Sequence, residues 1–330
     1  MTFSRATDAN SQRVPFITWE HHRRSEGLAR EMNLELIVLT SERRGLLRYL
    51  ALLPRTALTI ARLRASWIVV QCPSIVLAVL AVLLSRVLRF KLAIDAHNEA
   101  VEPFIHDNAR MRRLTRWLHR RADLIIVTNE ALADIIRANG GTPFVLPDPL
   151  PVPAKIDGTH ETDRALPLLT VICTYAPDEP LEAVVAASKL MQTKAQFALT
   201  GNERRGRSRL GELPTNLRFT GFLPEPEYWQ LLARSTVVVD LSMMPHCLVC
   251  GAYEALSLGV PLLLTDDPAG REVFGPAALF TRNDAAAIAG CMDQAIAQAA
   301  ELRSAAADYR LTYQARWQAT ASQLIERLHS

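Results

Sequence analysis

Short apolar runs alternate with longer helical stretches along almost the whole chain, a rhythm that builds parallel sheets with crossover helices. Runs at 34–39, 67–70, 92–94, 124–127 and 144–146 read as strands of one sheet, with helices over 110–121 and 130–139. Runs at 168–174, 196–200, 217–219, 236–241, 261–264 and 277–280 read as strands of a second, followed by a helical stretch over 302–328. Between the two sets Pro147, Pro149, Pro151 and Pro153 alternate. A residue before proline is held extended, so this segment is a semi-rigid link. The expectation is an α/β chain of two Rossmann-like domains, 1–150 and 151–330, with the last helix placed to cross back to the first. The length of 330 residues agrees, because a single core seldom grows beyond about 250–300 residues.

Charge divides along the same line. Residues 1–150 carry 21 Lys and Arg against 14 Asp and Glu, whereas 151–330 carry 16 against 20. No acid occurs between Glu42 and Asp95, an interval rich in arginine, and a second acid-free cluster runs from Arg110 to Arg121. These clusters lack the interleaved aromatics of a single-strand platform and any zinc-finger or RNP pattern, so nucleic acid is not the expected partner. An anionic membrane surface fits better. Residues 46–63 mix Leu46, Leu47, Leu50 and Leu58 with Arg48, Arg55 and Arg62, as an interfacial helix does, with a break expected near Pro54. The alternative is a core helix with a solvated basic face.

The apolar run 75–84 is far shorter than the roughly 20 residues that span a bilayer and reads as a buried helix. Residues 1–15 lack the apolar stretch of a signal peptide, so the expected location is cytoplasmic, peripheral on the inner face of the membrane. Five scattered cysteines suit reduced thiols. Cys247 and Cys250 form one CxxC beside His246, but a structural zinc site needs four ligands and no second pair follows, so neither metal nor cofactor is expected.

In open α/β sheets ligands bind outside the carboxyl ends of strands. Candidate residues therefore lie in Asp95-Ala-His97-Asn98-Glu99, Thr174-Tyr175, Thr200-Gly201-Asn202 and the loop from Ser242 to Cys250. No GxGxxG follows a strand, and Gly201-Asn-Glu-Arg-Arg-Gly206 lacks the lysine of a P-loop, which disfavours nicotinamide and ATP chemistry. A helix opening at Gly251 presents backbone N–H groups and a positive dipole end, which suits a diphosphate. Glu254, one turn in, is placed to accept from ribose hydroxyls, or else simply to complement its own helix dipole.

Four segments carry a resemblance: Ala122-Asp-Leu-Ile-Ile-Val-Thr-Asn129, Val145-Leu-Pro-Asp-Pro149, Phe219-Thr-Gly-Phe222 and Tyr253-Glu-Ala-Leu-Ser-Leu-Gly-Val-Pro261. Together the chain resembles a GT-B glycosyltransferase, most similar to the retaining, metal-independent family 4. The resemblance implies two domains facing across a cleft and transfer of a sugar from a nucleotide diphosphate to an acceptor held by the first domain. It also implies that Glu254 binds ribose and that Gly251 and Ala252 offer amides to the diphosphate. Thr200, Gly201 and Asn202 would line the nucleotide pocket. His97 would match the family's histidine beside the reacting sugar, with a capping or surface histidine as the alternative. If the reaction inverts, His97 or Glu99 is the candidate base.

Two departures stand out. The family has a glutamate eight residues before the ribose glutamate; His246 stands there, and histidine supplies no permanent negative charge. Typical members carry an Arg and a Lys in the loop after the first strand of the second domain, where this chain reads Thr174-Tyr-Ala-Pro-Asp178-Glu179-Pro. Arg204, Arg205 or Arg207 would then meet the diphosphate, unless they form a solvated charge run. In the first domain Trp19-Glu-His-His-Arg-Arg24 replaces a glycine-rich loop, with Arg23 or Arg24 facing an acceptor phosphate and Asn98 beside them. The expected function is transfer from a nucleotide sugar to a lipid-linked or polysaccharide acceptor. A catalytically silent scaffold and a nonhydrolysing UDP-sugar epimerase are the alternatives.

Overall fold

The computed structural model describes residues 13–72, 74–103, 108–153 and 166–330. Residues 1–12 of the leader reading lie outside the described residues. The chain divides into two compact units, Met1–Leu146 with Ala319–Ser330, and Pro147–Gln318.

The first unit runs β1 (Pro15–Thr18), α1 (Arg23–Glu31), β2 (Glu35–Val38), α2 (Leu46–Leu63), β3 (Trp67–Cys72), α3 (Ile75–Leu88), β4 (Lys91–Ala96), the single-turn α4 (Asn98–Val101), α5 (Ala109–Arg121), β5 (Leu124–Val127), α6 (Glu130–Ala138) and β6 (Pro143–Val145). Its six strands are parallel in the order β2-β1-β3-β4-β5-β6. Buried β-branched runs such as Trp67-Ile-Val-Val70 suit a sheet covered on both faces. Asn108 and Asn129 cap α5 and α6 through bonds from the amides of Met111 (2.9 Å) and Leu132 (3.1 Å).

The second unit runs β7 (Leu168–Val171), α7 (Leu181–Leu190), β8 (Gln196–Thr200), α8 (Glu203–Leu210), β9 (Leu217–Gly221), α9 (Glu225–Ala233), β10 (Val237–Asp240), α10 (Cys250–Ser257), β11 (Leu262–Thr265), α11 (Pro268–Phe274), β12 (Ala278–Thr281), α12 (Ala285–Ala297) and the long α13 (Ala299–His329). The strand order β12-β11-β10-β7-β8-β9 is a doubly wound sheet whose direction reverses between β7 and β10. Tyr313 and Trp317 of α13 donate to the carbonyls of Asp148 (2.6 Å) and Pro147 (2.8 Å), tying the proline segment to the helix. The last turns of α13 belong to the first unit.

Three expectations change. The helix over residues 46–63 is not broken at Pro54. Pro54 sits on its exposed side, where water can meet the carbonyl that loses its amide partner. The apolar run beginning at Ile75 is buried on one side through Leu77, Ala78, Ala81 and Val82, but exposes Leu83, and the helix continues to an exposed Val87 and Leu88. Finally, α10 opens at Cys250, one residue earlier than expected.

Candidate functional site

The reversal of strand order between β7 and β10 opens a crevice at their carboxyl ends, where doubly wound sheets bind ligands. Two residues of this unit other than glycine adopt left-handed backbone among the described residues, Tyr175 (φ 62°) after β7 and His246 (φ 57°) after β10. Such conformations cost on the order of 1–3 kcal/mol and collect at functional loops.

The backbone donors of these loops are met by the chain's own carboxylates. Glu179, 9% exposed, accepts from the amides of Thr174 (2.8 Å), Tyr175 (2.7 Å) and Ala176 (3.3 Å) and from the Thr174 hydroxyl (2.6 Å). Asp178 accepts from the Ser242 hydroxyl at 2.7 Å, and its carbonyl accepts from the Met243 amide. Asp240 accepts from the Gly251 amide at 3.0 Å. Burial, and next the charge of Glu179, push the Asp240 carboxyl up to about 8. The two amides expected to face a diphosphate are engaged within the chain: Gly251 donates to Asp240, and Ala252 donates to Val249 O at 3.2 Å. A Cβ on Gly251 would collide with Ile172 and Asp240, so glycine here lets the carboxylate close on the helix end.

Glu254 lies in the first turns of α10 and is 6% exposed. The Tyr228 hydroxyl of α9 donates to its Oε2. The loop from β9 to α9 exposes Phe222 at the same edge. Thr200 ends β8 and accepts from the Cys173 amide at 3.2 Å. Gly201 has φ 88°, and a Cβ there would strike the Cys173 carbonyl, so only glycine fits. Asn202 caps α8, accepting from the Arg205 amide at 3.2 Å.

Helix α8 supplies the cations. Arg204 and Arg205 are exposed, while Arg207 pairs with Glu203 at 2.6 Å and lies over the Phe219 ring. Arg209 reaches back across the loop after β7, bonding Ala176 O (2.5 Å), Glu179 O (2.6 Å) and Glu182 (2.7 Å). A recess of about 470 Å³ is lined by Thr174, Tyr175, Arg205, Ser208 and Arg209.

His246 is anchored at Asp267, which accepts its amide at 3.1 Å and lies 3.9 Å from Nδ1. Burial, then Asp240, push the Cys247 thiol up to about 12. Among the described residues no group of three or more His, Cys, Asp or Glu is arranged to hold a metal ion.

The first unit gathers a different set. Asp95 ends β4 fully buried, paired with the Arg24 guanidinium (Nε 2.8 Å, Nη2 2.7 Å), which also donates to Leu146 O. Arg24 is 3% exposed, so the expectation that it faces an acceptor phosphate is corrected: it neutralises Asp95 inside the fold. Arg23, one residue earlier, is exposed. His97 caps α4 with Nε2 3.9 Å from Asp95, its ring edge-on to His22 with centroids 4.7 Å apart. His22 itself caps α1, accepting from the Arg24 amide. Asn98 and Glu99 follow, half-buried in α4.

The sequence reading gave Arg24 and His97 separate roles and gave none to His22, Tyr228, Arg209 or Asp240. Only the position of Asp240 at the end of an apolar strand was a usable signal.

Residues 4–149 match the family model described as Glycosyl transferase 4-like domain, and residues 175–310 that described as Glycosyl transferases group 1. No curated protein sequence matches the chain. The fold is similar to that of Anabaena HepE, crystallised with UDP and glucose (TM-score 0.72, 17% identity, 94% of this chain and 90% of that one). It is also similar to sucrose-phosphate synthase of Thermosynechococcus elongatus (TM-score 0.71, 18% identity, 90% and 83%). A third similar structure is the lipopolysaccharide outer core galactosyltransferase WaaB in its apo form (TM-score 0.61, 13% identity, 94% and 98%). Two doubly wound units, a glutamate early in the helix after β10 and family models over both halves lead to one assignment: the chain belongs to the group 1 glycosyltransferases of the GT-B fold.

Proposed function

We propose that this glycosyltransferase moves a sugar from a nucleotide diphosphate, held by the second unit, to a lipid-linked or polysaccharide acceptor met by the first. It does so with retention and without a metal, in polysaccharide assembly at the cytoplasmic face of a membrane. The observation that carries the reading is Glu254, presented by the helix after β10 and oriented by Tyr228 beside the crevice where β7 and β10 part. A carboxylate offers about four lone-pair positions, so it can receive ribose hydroxyls as well as Tyr228. HepE was solved with UDP and glucose, which supports a UDP-sugar donor. WaaB is described as a lipopolysaccharide outer core galactosyltransferase, which supports a lipid-linked or polysaccharide acceptor.

The leaving diphosphate needs countercharge. With Glu179 and Asp240 occupying the loop amides, Arg205 on the exposed side of α8 is the cation best placed to supply it. On the acceptor side, Arg23 is the exposed cation beside His22 and His97, with Asn98 and Glu99 adjoining.

The experiment is a thermal-shift series with UDP-, GDP- and dTDP-sugars on the protein and on Glu254→Ala. Stabilisation by one nucleotide class, lost in the variant, supports the reading; an equal shift in both removes Glu254 from the site. A second reading, donor binding without turnover, is favoured by Glu179 standing in the loop where the family carries cations. Bound nucleotide sugar with no product across lipid-linked acceptors selects it.

A further inference from the structure

The connections β2–β3, β3–β4 and β4–β5 all step across the first sheet in one direction, and β1–β2 steps in the other. Right-handed crossovers therefore place α2, α3 and α5 side by side on one face and α1 on the opposite one. Contacts agree: α2 packs on α3, α3 packs on α5, and Arg86 of α3 donates to Arg121 O of α5 at 2.7 Å.

The inward side of this layer is ordinary core, through Leu52, Ile60, Leu77, Val82 and Leu118. The outward side is not an ordinary solvated surface. On α2 it exposes Leu46 (73%), Leu47, Leu50 and Leu58, and on α3 Leu83, Val87 (75%) and Leu88. These are seven of the thirteen large apolar side chains that the described residues expose, and they lie along two neighbouring helices. Every charge interleaved with them is positive. Exposed Arg43 and Arg44 precede α2, exposed Arg55 and Arg62 lie on it, Arg86 and Arg89 end α3, and six exposed arginines cover α5. Neither stretch, 43–94 nor 108–122, contains an acid. Arg55, Arg86 and Arg120 each donate to a carbonyl oxygen, which leaves their charge unneutralised.

Exposed leucines among arginines match an anionic bilayer, whose headgroups take the charge and whose acyl boundary takes the apolar side chains. Nucleic acid has no use for the leucines, and no helix among the described residues is long and apolar enough to cross a membrane. We infer that the α2–α3–α5 face is a peripheral docking surface for anionic phospholipid, with both helix axes lying along the membrane. This deepens the proposed function by naming its lipid partner. The first turn of α2 follows the carboxyl end of β2, and Arg48 there donates to Trp19 O, in the loop that carries His22. The docked turn thus adjoins the edge proposed to meet the acceptor.

The test is co-sedimentation of the full chain with phosphatidylcholine vesicles, with and without phosphatidylglycerol, at low and high salt. Expected is pelleting with the anionic vesicles alone, weakened by salt. A Leu46→Ser, Leu50→Ser, Val87→Ser variant should lose at least about tenfold in affinity. An Arg55→Glu, Arg86→Glu, Arg113→Glu variant should lose at least as much. Both variants should keep the far-UV spectrum of the parent. Equal pelleting with both vesicle types, no pelleting, or a leucine variant that binds like the parent would overturn the inference. So would a dimer in light scattering that the leucine variant converts to monomer. The nucleotide-sugar thermal shift is read on the same variants. If it is absent from the parent while vesicle binding holds, the donor reading fails and the docking surface stands.

Discussion

Tyr228 of α9 donates its hydroxyl to Oε2 of Glu254 in α10, joining two helices that follow different strands of the second sheet. Hydrogen bonds to a charged group contribute about 1.5–3 kcal/mol, and here that energy fixes the plane of a carboxylate that would otherwise turn about its last torsion. Tyr228→Phe is therefore expected to weaken binding of the nucleotide sugar by about tenfold, equivalent to about 1.4 kcal/mol, with a smaller effect on kcat. Isothermal titration with the sugar nucleotide found in the thermal-shift series checks this. Unchanged affinity would reduce the contact to helix packing.

Asp240 predicts a stability profile of definite sign. Its carboxyl is raised from an ordinary 3.8 to about 8 by burial and by Glu179. Between those values the folded chain keeps a proton that the unfolded chain has released, so stability falls as pH rises and levels off above about 8. His119 acts in the opposite direction. Burial lowers it from 6.5 to about 4, so between those values the unfolded chain binds a proton that the folded chain does not, and stability is lost as pH falls through that interval. The Asp240 effect is therefore read between pH 6.5 and 8, above the His119 interval and below the ordinary thiol value of 9.0 from which burial raises Cys72, Cys173, Cys247 and Cys291. Asp240→Asn retains an acceptor for the Gly251 amide and should flatten the decline in Tm between pH 6.5 and 8. Parallel profiles for the two proteins would place the proton elsewhere.

Arg24 and Arg23 differ by one position and are expected to respond in opposite ways. Removing one partner of a buried pair costs about 3–5 kcal/mol, because the other charge is stranded. Arg24→Met should lower stability by roughly that amount, and adding Asp95→Leu should recover most of it, a coupling that a double-mutant cycle measures by denaturant titration. Arg23→Ala, at an exposed site, should cost far less stability than Arg24→Met while raising KM for a phosphate-bearing acceptor.

The same pair marks how far the chain could be read from its residues. The strand–helix rhythm placed these apolar runs within three residues of the observed strands, because buried parallel strands are locally apolar and need no partner to be recognised. The strand Pro15–Thr18 went unread, its two apolar side chains, Phe16 and Ile17, standing between a proline and a charged loop. Which of two adjacent arginines turns inward was not legible, since that depends on Asp95, 71 positions later. Asp240 likewise closes on Gly251 because β10 and the loop before α10 converge in space, and no spacing rule records that. Local pattern thus specified the scaffold and the position of Glu254. Countercharge at the crevice is a property of side chains meeting across elements.

Arg205 and Arg209 line one recess, and their surroundings assign them different work. Arg209 is committed: its three donor nitrogens bond Ala176 O, Glu179 O and the Glu182 carboxylate, stapling the loop after β7 to α8. Glu182 in return lowers its own affinity for protons through the Arg209 bond. A lysine has the charge but not the planar fork, so Arg209→Lys should loosen the loop that Glu179 holds and lower Tm, with donor affinity falling as a consequence. Arg205 is exposed, and its amide donates to the Asn202 cap. Arg205→Ala should leave Tm unchanged and weaken the nucleoside diphosphate by about tenfold, the scale of a lost charge-assisted contact to phosphate. Affinity for the uncharged nucleoside should stay the same, so titration of the two ligands against the two variants separates a phosphate ligand from a structural clamp. An Arg205→Ala protein that binds the diphosphate as tightly as its parent would move the countercharge off α8.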